Sequence, residues 1–416
     1  MEQLFESFMR TLIRRGSIAV ETPSGRTFEA GDGTGPSLGI RVRDPQSEAR
    51  LVRDPELAFG ELYMNGAIEV TRGTLLDVMQ LGLSNLAQEG EARWLRVLRQ
   101  TRIALRRLQQ RNDLLRSRVN VAHHYDLDGH LYDLFLDADR QYSCAYFERP
   151  GATLEEAQRA KKRHVAAKLL VEPGQRVLDI GCGWGGMALY LAEICDARVT
   201  GITLSQEQWS EAGRRANGSS RGRDLEFRLQ DYRDVAGRFD RIVSIGMFEH
   251  VGVSYYDIYF RKIASLLAED GVALVHTIGR PDTPGATNPW IAKYVFPGGY
   301  IPALSEIMPA IERAGLLVTD IEILRLHYAD TLKDWRERFL AHREEIARLY
   351  DDRFCRMWEF YLAGSEAGFR LGQQIVFQIQ LARRVDAVPI TRDYIAENER
   401  RLREREGGTQ QVLATT

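Results

Sequence analysis

The stretch 176–186, RVLDIGCGWGG, carries the clearest chemistry in the chain. Val177, Leu178 and Ile180 mark a short buried strand, glycines follow at Gly181, Gly183, Gly185 and Gly186, and a helical run begins at Met187. A strand that turns on glycines into a helix lets a ligand approach bare backbone beside the positive helix start. Gly181, Gly183 and Gly186 also fit G-x-G-x-x-G, a weak signal by itself. A dinucleotide site wants an acid at the end of the second strand. Here that strand, 198–202, is followed by Thr203, Leu204 and Ser205, with no carboxylate. The acid Asp179 instead precedes the turn, as in D-x-G-x-G loops that hold S-adenosylmethionine. The pattern favours an S-adenosylmethionine site, with a dinucleotide site as the alternative.

More polar residues fall at strand ends. Glu249 and His250 follow the strand 240–245, and His276 ends the strand 271–277. Taken singly, His276 reads as a satisfied core histidine and Glu249 as a helix-start acid. Together, at neighbouring strand ends above one cleft, they read as functional. After the third strand, Asp231 is placed to accept from an adenine amine and Tyr232 to stack on the ring. Thr203, Ser205 and Gln208 offer bonds to ribose hydroxyls in place of the missing acid. Tyr142, Trp184 and Tyr232 are candidates to face a sulfonium cation, against the ordinary reading of aromatics as core.

The elements that must position these groups alternate. Strands at 176–180, 198–202, 225–229, 240–245 and 271–277 are separated mostly by helical patterns, which implies a doubly wound, mostly parallel α/β sheet. Thr153 and Glu156 form a capping box ahead of a helix at 154–170. Before this region, residues 1–90 read as a small α+β domain. It holds a helix at 2–15, a hairpin turning at Thr22-Pro23-Ser24-Gly25, and a helix broken at Pro55. Residues 91–118 read as a basic helical linker and 119–390 as the catalytic domain. The tail 391–416 reads as charged helix, with its last ten residues disordered.

The 416 residues carry a formal charge of -2. That near-balance hides nine arginines (93, 96, 99, 102, 106, 107, 111, 116, 118) against one acid, Asp113. With Trp94, Leu98, Leu105 and Leu108 at helical spacing, this stretch is either a solvated linker helix or a surface that meets anionic lipid headgroups. No aromatic-interleaved basic groove supports a nucleic-acid partner. Cys144, Cys182, Cys195 and Cys355 show no paired spacing, which argues against disulfides and structural zinc. With no apolar run near the length of a bilayer span and a poor signal peptide, the expectation is a cytoplasmic protein without a metal.

The segments HHYDL, QYSCAYF, VLDIGCGWGG, GITLSQEQ, LQDYRD, RIVSIGMFEHVG, ALVHTIG, FPGG and HYADTLKDW resemble, in order, the cyclopropane fatty acid synthase family over about residues 118 to 388. The resemblance implies a Rossmann-like class I methyltransferase fold with S-adenosylmethionine at Tyr142, Ser143, Asp179, the glycine turn, Trp184, Thr203, Leu204, Ser205, Gln208, Asp231 and Tyr232. The implied activity is methyl transfer to the cis double bond of an unsaturated phospholipid chain, closing a cyclopropane ring. It also implies bound bicarbonate as base, held by Cys144, Glu249, His276, the backbone of Ile278, and Tyr328. Residues 1–90 resemble more loosely a sterol-carrier-like N-terminal domain, which implies a homodimer working on the inner membrane face. Relatives with similar motifs make methyl- or methylene-branched chains, and a catalytically silent lipid-binding protein would keep the same fold.

Overall fold

The computed structural model describes residues 1–88, 100–103 and 129–415. The chain forms two compact units. One comprises Met1–Arg106, Ala286–Pro297 and Ala329–Gln374; the other comprises Arg107–Gly285, Gly298–Tyr328 and Ile375–Thr416. These units depart from the contiguous division expected at residues 90, 118 and 390, because two later segments fold with the N-terminal one.

In the first unit, β1 (Ser17–Glu21), β2 (Thr27–Ala30), β3 (Ser37–Val42) and β4 (Ile68–Arg72) form a sheet of order β2-β1-β3-β4. Its core takes Ile18 and Val20 from β1 and Phe5 and Met9 from the amphipathic helix Glu2–Leu12. The helix break at Pro55 is real: Pro45–Arg53 is capped by Asp44, and Pro55–Met64 starts afresh. The later segments dock on that second helix. Trp290 packs over Gly60, where an added Cβ would lie 2.5 Å from its indole ring. Glu61 accepts from Lys293 Nζ at 2.6 Å and from Tyr294 Oη at 2.9 Å.

In the second unit, β5 (Arg176–Ile180), β6 (Arg198–Thr203), β7 (Leu225–Leu229), β8 (Phe239–Ile245), β9 (Leu267–Gly279), β10 (Leu317–Ile323) and β11 (Ile375–Ala382) form one sheet, ordered β10-β11-β9-β8-β5-β6-β7. The β9-β8-β5-β6-β7 stretch is parallel, and β11 and β10 join antiparallel. This is the doubly wound, mostly parallel α/β sheet expected of the alternating pattern, in the Rossmann-like class I methyltransferase form that the resemblance implies. Strand alternation feeds two cores. Leu178, Ile242, Ala273 and Val275 pack with Tyr259, Ile263 and Ile311 from the helices Tyr256–Leu266 and Leu304–Arg313. Val177, Val243 and Leu274 pack with Val165, Leu191 and Ile395 from Leu154–Leu169, Gly186–Cys195 and Asp393–Thr415. By the same alternation Asp179 and His276 face this second layer of helices.

The capping box at Thr153 and Glu156 is present. The last helix, Asp393–Thr415, continues through residues expected to be disordered. Among the described residues no helix is long and apolar enough to cross a membrane. Most of the arginine-rich stretch 91–118, and the HHYDL segment at 123–127, lie outside the described residues. Arg102 is described, and its guanidinium is committed to Asp54 at 2.7 Å and to Glu56.

Candidate active site

The turn after β5 is built on glycine conformations. Gly181, Gly183 and Gly185 have φ of 81°, 55° and 85°, the left-handed region that costs other residues about 1–2 kcal/mol. Their surroundings differ. A Cβ on Gly183 would meet nothing within 4 Å, so this backbone faces open space. A Cβ on Gly185 would lie 2.8 Å from the Phe227 ring, so glycine is needed there for packing. The strand order reverses between β5 and β8, and a cleft opens at that point. Tyr142, Ser143, Asp179, Gly181, Gly183, Trp184, Thr203, Leu204, Gln208, Asp231 and Tyr232 all line it.

Two predicted residues do not line the cleft. Gly185 packs behind it, and Ser205 is fully buried, with its Oγ capping the helix Gln206–Gly218 through Gln208 N at 3.2 Å. Ser205 is therefore a turn former. Thr203 Oγ1 donates to Gln208 Oε1 at 2.8 Å, which orients both on the cleft wall. Asp231 is already clasped by Arg233, with Nε at 2.8 Å, Nη2 at 2.7 Å and backbone N at 2.9 Å. A carboxylate has about four lone-pair sites, so one remains for a ligand. Trp184, Tyr132 and Tyr142 form an aromatic cluster at one side, while Tyr232 packs edge-on against Tyr259.

Asp179 is the strongest electrostatic feature. Its carboxyl is buried, Oδ2 has no hydrogen-bond partner, and burial raises its pKa to about 7 despite the nearby Lys161 ammonium. A cationic ligand group in the cleft would satisfy this oxygen, and the ammonium of an amino-acid moiety fits. The indole Nε1 of Trp184 is likewise buried without a partner. These orphan atoms and the open Gly183 backbone suit S-adenosylmethionine. Among the described residues no group of His, Cys, Asp and Glu is placed to hold a metal ion.

Of the five residues ascribed to an anion site, Cys144, Glu249, His276 and Tyr328 are buried and Ile278 is half-buried, but none lines this cleft. Glu249 and Ile278 meet: Ile278 N donates to Glu249 Oε1 at 2.6 Å, while Oε2 is buried without a partner. Burial raises Glu249 to about 7 against the lowering effect of that bond. Cys144 Sγ donates to its neighbour's carbonyl, Ala145 O, at 3.3 Å. His276 Nδ1 lies 3.2 Å from Gln378 Nε2, and burial, then the Lys161 and Lys168 ammoniums, hold the ring neutral. Tyr328 sits in the first turn of the helix His327–Ala341.

Sequence reasoning missed Lys161. It is fully buried in the helix Leu154–Leu169, and its Nζ donates to Gln141 Oε1 at 2.6 Å and Ser143 Oγ at 2.8 Å behind the cleft wall. Nothing in the Lys161-Lys162 pair announces which lysine turns inward. Arg233 was legible only as part of Asp231-Tyr232-Arg233, two residues beyond its partner.

Two outcomes follow from this geometry. Gly183→Val is expected to abolish S-adenosylmethionine binding in a folded protein, whereas Gly185→Ala is expected to lower stability by about 2 kcal/mol. Calorimetric titration and thermal melts of both variants check this; unchanged affinity in Gly183→Val sinks the placement. Asp179, protonated below about 7 when free, must release its proton to pair with an ammonium. Affinity is then expected to rise with pH toward that value and level off above it, with proton release visible as a buffer-dependent binding enthalpy. An Asp179→Asn variant that keeps the pH dependence counts against the pairing.

Comparison with known proteins gives the family. The family model for mycolic acid cyclopropane synthetase matches residues 112–379. The cyclopropane-fatty-acyl-phospholipid synthase of Escherichia coli K12 is 40% identical over 349 residues, covering 83% of this chain and 88% of that protein. The tuberculostearic acid methyltransferase UfaA1 of Mycobacterium tuberculosis is 37% identical over 375 residues, covering 86% of each. The solved structure of mycolic acid cyclopropane synthase CmaA1, complexed with SAH and CTAB, is 35% identical with a TM-score of 0.61, covering 64% of this chain and 97% of that one. With its glycine turn, switch-point cleft and sheet order all in place, the chain belongs to the mycolic acid cyclopropane synthetase family of S-adenosylmethionine-dependent methyltransferases.

Proposed function

We propose that this methyltransferase adds a methylene bridge across the cis double bond of an unsaturated phospholipid acyl chain, as a homodimer at an anionic membrane surface. The observation that carries the phospholipid substrate is extent of match. The Escherichia coli phospholipid enzyme aligns with 83% of this chain, whereas CmaA1 aligns with 64%.

Bound S-adenosylmethionine would supply an electrophilic methyl group to the alkene and leave as S-adenosylhomocysteine. The net change on the substrate is one added CH₂, and one proton must leave the incoming methyl as the ring closes. Asp179 and the Gly183 backbone hold the methionine end. Trp184 and Tyr142 line the cleft and are the aromatic groups that would attract a sulfonium. Bicarbonate, held by Cys144, Glu249, His276, Ile278 and Tyr328, would supply the proton acceptor. The donor set suits an anion, since Glu249 near neutrality carries a proton for part of the time. Like charges in contact disfavour double ionisation, so that proton would be shared. Ile278 N donates to Glu249 Oε1, so an anion that takes this donor must turn the carboxyl aside.

A second reading, a methyl- or methylene-branched product, is favoured by the match to UfaA1 over 86% of both chains. Lipid mass spectrometry of a host expressing the protein separates the two. One CH₂ gained with loss of ozone-cleavable unsaturation is expected; one CH₂ gained with the alkene retained selects a methylene-branched product, and a net CH₄ gained with the unsaturation lost, which needs a two-electron reductant from the host, selects a methyl-branched one. Turnover in bicarbonate-depleted buffer is expected to recover on adding bicarbonate, and an indifferent wild type would move the base to a side chain.

Membrane attachment is ascribed to the arginine-rich stretch. Each basic side chain near an anionic surface contributes about 1 kcal/mol. Binding to anionic vesicles is expected to fall with salt and with Arg99→Gln and Arg106→Gln. Arg102→Gln should instead lower stability, given its bonds to Asp54 and Glu56. Equal flotation with neutral and anionic vesicles would show the stretch to be only a linker.

A further inference from the structure

A row of polar side chains crosses the apolar sheet of the second unit. In the antiparallel register Gln378 of β11 stands opposite His276 of β9, and Glu322 of β10 stands opposite Gln378. The helix Leu154–Leu169 lies over this row and adds Lys168 and His164. Lys168 Nζ donates to Gln378 Oε1 at 2.9 Å and also bonds Glu322. His164 bridges Glu322 at 2.7 Å and Glu399 at 2.6 Å. Gln378 and Lys168 are fully buried and His276 is nearly so.

The chemistry of these groups leaves one proton arrangement. An ammonium has donors only. Its bond to Glu322 keeps Lys168 charged, so the amide of Gln378 must turn its oxygen to Lys168. The amide NH₂ is thereby aimed at His276 Nδ1, 3.2 Å away, and a donor facing that nitrogen requires it to accept. In a neutral imidazole the ring proton then sits on Nε2. The opposite amide orientation would set NH₂ against NH₃⁺ and lose the bond outright. Burial opposes a second proton on His276, as do the charges of Lys161, Lys168 and His164 around it.

We propose that Lys168 and Gln378 are positioning residues that lock His276 as its Nε2–H tautomer, a neutral hydrogen-bond donor. A ring so locked offers Nε2–H to an anion or carbonyl oxygen and has no free lone pair on Nε2 with which to take a proton. The value of this for turnover rests on the reading that His276 serves the reaction. The tautomer itself does not.

The test is nitrogen NMR of full-length protein labelled with ¹⁵N-histidine, in which the couplings of the two ring nitrogens to the carbon-bound ring protons separate the tautomers. His276→Asn identifies the signals. Wild type is expected to show a protonated Nε2 and an unprotonated Nδ1. Gln378→Glu places an acceptor opposite Nδ1 and keeps a partner for Lys168, so it is expected to fold and to move the proton to Nδ1. Lys168→Met frees the amide and is expected to give a mixture; if that variant fails to fold, Gln378→Glu decides alone. An Nδ1–H ring in wild type, or an unchanged tautomer in Gln378→Glu, overturns the proposal. Turnover is read separately. With the tautomer shifted, kcat is expected to fall about tenfold or more while S-adenosylmethionine affinity stays within about twofold, since a wrong tautomer disables a histidine without moving it. A shifted tautomer with unchanged kcat leaves the lock in place and removes His276 from the reaction.

Discussion

The catalytic unit depends on the place where its sheet changes direction. The chain leaves β5 toward β6 and β7, then returns to the other side of β5 for β8 and β9. Crossovers on the two sides run over opposite faces, so the loops at the carboxyl ends part and leave a crevice. The glycine turn of β5 lines one wall of that crevice, and Gly246 and Met247 after β8 line another. No local preference of a single segment makes this cleft. It exists because strands far apart in sequence become neighbours in this order.

A second constraint is the cost of buried charge. The helix Leu154–Leu169 presents Lys161, His164 and Lys168 along one side, and all three are buried against the sheet. An unpaired ion in such a place costs several kcal/mol. Each is therefore matched: Lys161 to Gln141 and Ser143, His164 to two glutamates, Lys168 to Glu322 and Gln378. The consequence reaches the site. Together these cations oppose protonation of His276, while Lys161 partly offsets the burial that keeps Asp179 near neutrality. The cleft thus sits over a charged underside whose partners come from β10, β11, the last helix and the segment 141–143.

The first unit shows the same dependence on distant sequence. Glu61 lies on a helix whose apolar face belongs to the N-terminal core, yet its carboxylate is satisfied by Lys293 and Tyr294. The Trp290 ring fits because residue 60 has no side chain. A boundary drawn by composition near residue 90 separates these partners, although the elements on each side of it are read correctly.

What the sequence determined by itself was local and periodic. The glycine turn with Asp179, the alternation of strands and helices, the capping box at Thr153 and the break at Pro55 each follow from short-range sterics and hydrogen bonding. Most of the predicted cofactor residues line the cleft for that reason, being the residues that end the strands. The tertiary structure alone decided the rest. Ser205 and Gly185 read as ligand contacts, but one caps a helix and the other accommodates Phe227. Lys161, His164 and Lys168 recur at i, i+3 and i+7, which by amphipathic pattern marks a solvated face. They lie buried because β11 enters antiparallel and sets Gln378 opposite His276, with Glu322 beyond it. Register between strands a hundred residues apart is a property of packing, and no spacing within one segment encodes it.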